Sequence, residues 1–182
     1  MRIAVCLALL LPGMAAAEGF CNVTDAAEVF ARIEGAWLRR GSLSIESATD
    51  SQLMASQVYK LTLDGAGMAE SSFLDGVLGA PQQMMLADPR PYDVDRVDDV
   101  LDTTERPDIA DTLSDTLCGP EALPQLVIPV AMAFGGTKID GQVTLIPYFD
   151  DRILEITEYM ATLDEGVLHV TETVLLRPWP KR

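Results

Sequence analysis

The chain has 182 residues and a formal charge of −15 at pH 7, from 28 acidic and 13 basic side chains. An acidic surface repels phosphate backbones and anionic lipids, and no cluster of Lys and Arg offsets it, so we do not expect nucleic acid as a partner. Secreted proteins can also be acidic for solubility alone. The length suits one domain with a sizeable core.

The first residues have the pattern of a secretory signal peptide. Arg2 supplies a positive charge, residues 3–11 form an apolar run, and residues 15–17 are the small residues that a signal peptidase accepts. We expect cleavage near Ala17, a periplasmic or extracellular location, and a single domain over residues 18–182. The apolar run is too short to span a bilayer, so we do not expect membrane insertion.

Removal of that segment takes Cys6 with it and leaves two cysteines, Cys21 and Cys118. In an oxidising compartment an even pair predicts a disulfide, here one that ties the N-terminal segment to the middle of the chain. The alternative, a redox-active or nucleophilic thiol, lacks both a Cys-x-x-Cys motif and a plausible base.

A short helix is predicted next, because Thr24 or Asp25 can cap it and Val29, Phe30 and Ile33 follow at helical spacing before a glycine. Short segments with strand-like patterns and Gly or Asp turns come after it. These segments are 37–47, 57–63, 68–74, 82–87, 126–134, 142–149, 153–163 and 167–177.

Between the fourth and fifth segments, residues 88–124 are rich in Pro and Asp, which indicates a loop insertion with a short helix near Cys118. The whole pattern is typical of a mainly β protein, either an antiparallel sandwich or an antiparallel barrel of about eight strands.

The last hairpin raises a question about two carboxylates. If its turn has three residues, Leu163 faces Val167 and Glu158 faces Glu172 on an otherwise apolar face. Burial of such a pair raises at least one pKa, which is how a general acid or a cation site is made. A turn one residue shorter or longer separates the two glutamates, and each then points to solvent. We favour this second interpretation.

Other residues suggest metal or cofactor sites only weakly, so we expect no metal and no cofactor. A single histidine, His169, rules out a histidine-rich site, and haem ligation by it is a minor alternative to an ordinary strand residue. An irregular calcium site is the alternative to a solvated loop for Asp93, Asp95, Asp98 and Asp99, which do not match the EF-hand pattern.

A helix followed by Gly35-Ala36-Trp37 at the start of the first strand resembles the beginning of the lipocalins and their calycin relatives. In that family an Arg or Lys from the last strand packs across the Trp and closes one end of an eight-stranded barrel. Arg177 has the matching position here, and a guanidinium stacked on an indole would seal that end. The resemblance implies a lipocalin-like barrel.

We therefore expect a non-catalytic protein that binds a small, largely apolar molecule inside a barrel. Tyr148, Tyr159 and Met160 are the candidate ligand contacts. Two alternatives stay open: an envelope structural or protein-interaction domain with a filled core, and a hydrolase-type enzyme that uses Glu158 and Glu172. The sequence does not indicate an oligomeric state.

Overall fold

The computed structural model describes most of the chain after the N-terminal segment. The described residues are 19–47, 49–56, 58–71, 81–89, 116, 118–134, 136–164 and 166–180. The predicted signal peptide, the four aspartates of the calcium hypothesis and most of the predicted insertion therefore lie outside them.

The described part of the protein is mainly β, with one α-helix before the strands. The helix, α1, spans Ala26–Ile33. The strands are β1 (Gly35–Glu46), β2 (Ser51–Ala55), β3 (Lys60–Leu63), β4 (Met68–Ser71), β5 (Gln82–Gln83), β6 (Met85–Ala87), β7 (Gln125–Phe134), β8 (Thr137–Phe149), β9 (Arg152–Leu163) and β10 (Gly166–Pro178). A single 3-10 turn, Pro120–Ala122, lies within the described end of the insertion. The predicted fold class is confirmed.

These strands form one antiparallel sheet in the order β5-β4-β3-β1-β10-β9-β8-β7-β6. The two outer strands of this order, β5 and β6, are separated along the chain by Met84 alone, so the sheet nearly closes on itself. β2 and β3 likewise pair with opposite halves of β1. If each of these two split strands is counted once, the ten strands occupy eight positions. The first and last of them, β1 and β10, are paired.

The side chains that share a sheet face with Trp37 line the inside of this nearly closed barrel. Trp37, Leu61, Leu126, Leu145, Ile153 and Leu176 are buried on that face. Two glycines allow the wall to bend: a Cβ on Gly41 would overlap the carbonyl oxygen of Thr173, and one on Gly141 would overlap that of Glu158. The opposite face of β8 and β9 is also buried around Ile146, Leu154 and Ile156.

Helix α1 lies across one end of the barrel. Asp25 caps it by accepting a hydrogen bond from the amide of Ala27 at 2.9 Å. Arg32 reaches Asp150 in the β8–β9 turn at 2.8 Å, with its guanidinium 3.9 Å from the centre of the Phe20 ring. Phe30 packs against Gly67 in the β3–β4 turn. Because both turns belong to the same end, the helix covers that end.

The disulfide between Cys21 and Cys118 is present, with 6.0 Å between the Cα atoms. It fastens the segment before α1 to the segment before β7. The amide of Asn22 also donates to the carbonyl of Ala122 at 2.7 Å. This disulfide prediction is confirmed.

The turn of the last hairpin is shorter than the three-residue turn that would bring Glu158 and Glu172 together. Gly166 pairs with Leu163, so every facing pair shifts by one residue. Glu158 faces Thr171 and Glu172 faces Thr157. The two glutamates lie on opposite faces of the sheet, as the alternative register implies, and the proposed acid/base pair is not formed. The expectation that both point to solvent is wrong for Glu172, which lies on the inner face of the barrel.

Candidate functional site

A buried charged cluster lies inside the barrel, two residues along β1 from Trp37. Arg39 is 1% exposed and Glu155 3% exposed, whereas Glu172 is only partly buried. The side chains of a strand alternate between faces, so Arg39 points inward with Trp37 while Leu38 and Arg40 point the other way. β1, β9 and β10 each contribute one member of this cluster.

Arg39 donates hydrogen bonds to the carboxylates of both Glu155 and Glu172. Its Nε donates to Glu155 Oε2 at 2.7 Å, and its Nη2 donates to Glu155 Oε1, so Glu155 occupies one edge of the guanidinium with two parallel bonds. Nη2 also donates to Glu172 Oε2 at 3.1 Å. The cluster is therefore a fixed arrangement that three strands hold in place.

Two hydroxyl-bearing residues complete the surroundings. The Arg39 guanidinium carbon lies 4.1 Å from the centre of the Tyr59 ring, in the segment between β2 and β3. Thr157 Oγ1 lies 3.3 Å from Glu155 Oε1. Tyr159 follows on the same face of β9, towards the end of the barrel away from α1.

The environment shifts three pKa values upward. Burial acts to lower the pKa of Arg39, but the charge and hydrogen bonds of Glu155, together with Glu172, outweigh it and raise that pKa. Burial and then the charge of Glu155 raise the pKa of Tyr59. Burial and then the charge of Glu172 raise the pKa of Tyr159. Arg39 is thus charged and both phenols are neutral at physiological pH.

One donor of the cluster has no acceptor. Arg39 Nη1 is buried and makes no hydrogen bond. A buried donor left without an acceptor costs about 1–3 kcal/mol, more for a charged group. An oxygen acceptor placed beside Nη1 would remove that cost.

The three predicted ligand contacts do not share one surface. Tyr159 lies on the inner face of β9 and is half-buried. Met160, the next residue, lies on the outer face and is 49% exposed. Tyr148 is buried near the α1 end, where its carbonyl accepts a hydrogen bond from the amide of Phe20 at 3.4 Å. Only Tyr159 is on the same face as the charged cluster.

The structure also shows how the Trp37 end is arranged. Gly35 begins β1 with φ of 147°, and the buried Trp37 donates from Nε1 to the carbonyl of Ile33 at 2.9 Å. Arg177 pairs with Leu38, on the opposite face from Trp37, and is exposed. The sheet therefore does not bring Arg177 and Trp37 together. At this end Trp37 contacts helix α1 through its hydrogen bond to Ile33.

Sequence reasoning missed Arg39. Its signal was the alternation along β1 from Trp37, which places Arg39 and Gly41 on the inner face. Arg40, the next residue, is also charged, so the sequence fitted a strand with ordinary surface charges equally well.

Among the described residues, no group of three or more His, Cys, Asp or Glu side chains could hold a metal ion. His169 lies on the outer face of β10 and is exposed. No helix among the described residues has both the length and the apolar character needed to cross a bilayer.

The fold and site place the protein in the general class of nearly closed antiparallel barrels with one end covered by a helix. No protein-family model, curated protein or solved structure matches the chain.

Proposed function

We propose that this is an exported, non-catalytic protein that binds a small, largely apolar molecule inside its barrel, with the polar end of that molecule at Arg39. The observation that carries the proposal is the buried Nη1 of Arg39, which is charged, enclosed by the barrel wall and without an acceptor. Most buried polar groups in proteins are hydrogen-bonded, so an unsatisfied one calls for an explanation, and a functional role is one such explanation.

The likeness to lipocalins supports the binding role. The chain combines a helix leading into Gly35-Ala36-Trp37 with a nearly closed barrel whose last strand pairs with its first. Barrels of eight strands have room for one small ligand. The disulfide between Cys21 and Cys118 supports export to an oxidising compartment.

Apolar side chains at the end away from α1 also suit a ligand entrance. Leu163 and Met54 share the inner face of their strands with the cluster and are 37% and 42% exposed. Exposed apolar residues around a concave site are typical of the mouths of ligand-binding barrels.

Native mass spectrometry of the protein purified from its own host tests the proposal. We expect a bound organic mass on the wild-type protein, and its loss in the double variant Arg39→Leu/Glu155→Leu, which replaces the ion pair by apolar side chains. Arg40→Leu, which alters the neighbouring outward-facing residue, serves as the control and should retain the mass. Wild-type protein that is repeatedly empty would contradict the proposal.

A further inference from the structure

We propose that the Arg39 site selects a neutral ligand, one whose ester, ketone or amide carbonyl oxygen accepts a hydrogen bond from Nη1, and that it discriminates against free carboxylates. This inference rests on the proposed binding function and names its ligand class. A long-chain ester or amide has both the required oxygen and the apolar body.

The geometry of the guanidinium supports a single-acceptor ligand. A carboxylate binds Arg best through two parallel hydrogen bonds along one edge of the guanidinium. Glu155 already occupies the edge formed by Nε and Nη2, and Glu172 takes a further bond from Nη2. Nη1 is the nitrogen that remains: its two N–H groups can bind a ligand oxygen, but no second free nitrogen is left to form the two-nitrogen fork with a carboxylate.

The net charge of the cluster also favours a neutral ligand. The cluster contains one guanidinium and two carboxylates, a formal charge of minus one. A ligand carboxylate would bring a third negative charge into a region where Arg39 and Glu155 are almost fully buried, and like charges repel strongly at low dielectric. A carbonyl oxygen accepts the same hydrogen bond without adding charge.

Apolar residues flank the cluster on the inner face, where the apolar body of such a ligand would lie. Trp37 precedes Arg39 on that face, and Leu176 and Val174 of β10 are buried beside it. Trp37 also provides a reporter, because the only other tryptophan, Trp179, is exposed and can be replaced by Phe.

The test compares three probes of matched chain length by Trp37 fluorescence in the Trp179→Phe protein near neutral pH: methyl decanoate, decanoate and n-decane. We expect the ester to bind about tenfold or more tightly than the ionised acid, a difference of about 1.4 kcal/mol, and more tightly than the alkane. Circular dichroism checks that each variant is folded.

Two variants separate the charge effect from a general change in the protein. Glu172→Gln removes a negative charge from the cluster and should reduce the difference in affinity between methyl decanoate and decanoate. Glu158→Gln removes a charge from the outer face of the neighbouring strand and should leave the preference as it is.

Different failures have different meanings. Equal or tighter binding of the acid overturns the inference, and equal binding of ester and alkane does so too, because Nη1 then gains no acceptor from the ester. A protein that retains a host molecule but does not bind the ester also overturns the inference while the binding function stands. Failure of all three probes, together with protein that is always empty, overturns the proposed function itself.

Discussion

Arg39 of β1 and Glu155 of β9 form a buried ion pair across β10, the strand that lies between theirs. Two bonds fix the guanidinium against the carboxylate, and Glu172 of β10 adds a third. Burial of charge is costly, and a hydrophobic replacement is often as stable. The pair is therefore better explained by what it presents to the interior, the open Nη1 donor, than by stability.

Removal of Arg39 alone should destabilise the protein strongly. Arg39→Met leaves Glu155 charged and buried without its partner, which costs about 3–5 kcal/mol. Urea unfolding at neutral pH measures this loss. Arg40→Met is the matched control and should change the free energy of unfolding by about 0.5 kcal/mol or less, since Arg40 is exposed. Equal effects of the two variants would refute a buried ion pair.

Replacement of both partners should cost less than the two single replacements added together. In Arg39→Met/Glu155→Leu the buried charge of Glu155 is removed together with its partner. We expect a coupling free energy of about 2 kcal/mol between the two sites. A double-mutant cycle in urea measures the coupling. Additive effects would mean that the two side chains do not interact.

Alkaline pH should destabilise the protein through Tyr59. Its pKa is raised in the folded state, by burial and then by Glu155, so Tyr59 stays neutral where the unfolded chain ionises. The stability is fully present below pH about 10, the pKa of an unfolded tyrosine, and falls above it by about 1.4 kcal/mol per pH unit. Urea unfolding across this range should show a smaller decline in Tyr59→Phe. Identical declines in both proteins would contradict the burial of Tyr59.

The disulfide should contribute substantially to stability. Cys21 and Cys118 are 97 residues apart in the chain, and closing a loop of that length is worth about 4.7 kcal/mol in the chain-entropy model. Thermal unfolding of the Cys21→Ser/Cys118→Ser variant, compared with the oxidised wild type, measures the contribution. A variant as stable as the wild type would show that other contacts hold the N-terminal segment in place.

A methyl group at Gly41 should disturb the bend of the barrel wall. The added Cβ would overlap backbone atoms of Thr173, which cannot move independently of β10, so we expect Gly41→Ala to cost about 1–3 kcal/mol. At Gly65 the added Cβ meets only the flexible side chain of Glu34, and Gly65→Ala should have little effect. Chemical denaturation of both variants gives the comparison, and equal stabilities would contradict the close approach at Gly41.

The sequence predicted those features that depend on local patterns. The helix after Asp25 follows from a cap and an apolar spacing, and the strands follow from alternation between turns. The disulfide follows from a cysteine pair in a chain whose first residues predict export. Each of these signals lies within a short stretch or in a simple count.

Register and face could not be predicted in the same way. One residue in the length of the last turn decides whether Glu172 faces Glu158 or Thr157, and the pattern of the strands fits both. The alternation of side chains between the two sheet faces also places Arg177 beside Leu38, away from Trp37, and points Arg39 into the barrel. Only pairing between distant strands fixes these choices, and that pairing brings Arg39, Glu155 and Glu172 together.

The barrel is proposed to hold a small molecule against Arg39. A high-resolution crystal structure of the protein purified from its own host tests it most directly. We predict density for an organic molecule inside the barrel, with an oxygen about 3 Å from Arg39 Nη1. A barrel filled by its own side chains, or one with only water at that atom, would contradict the account.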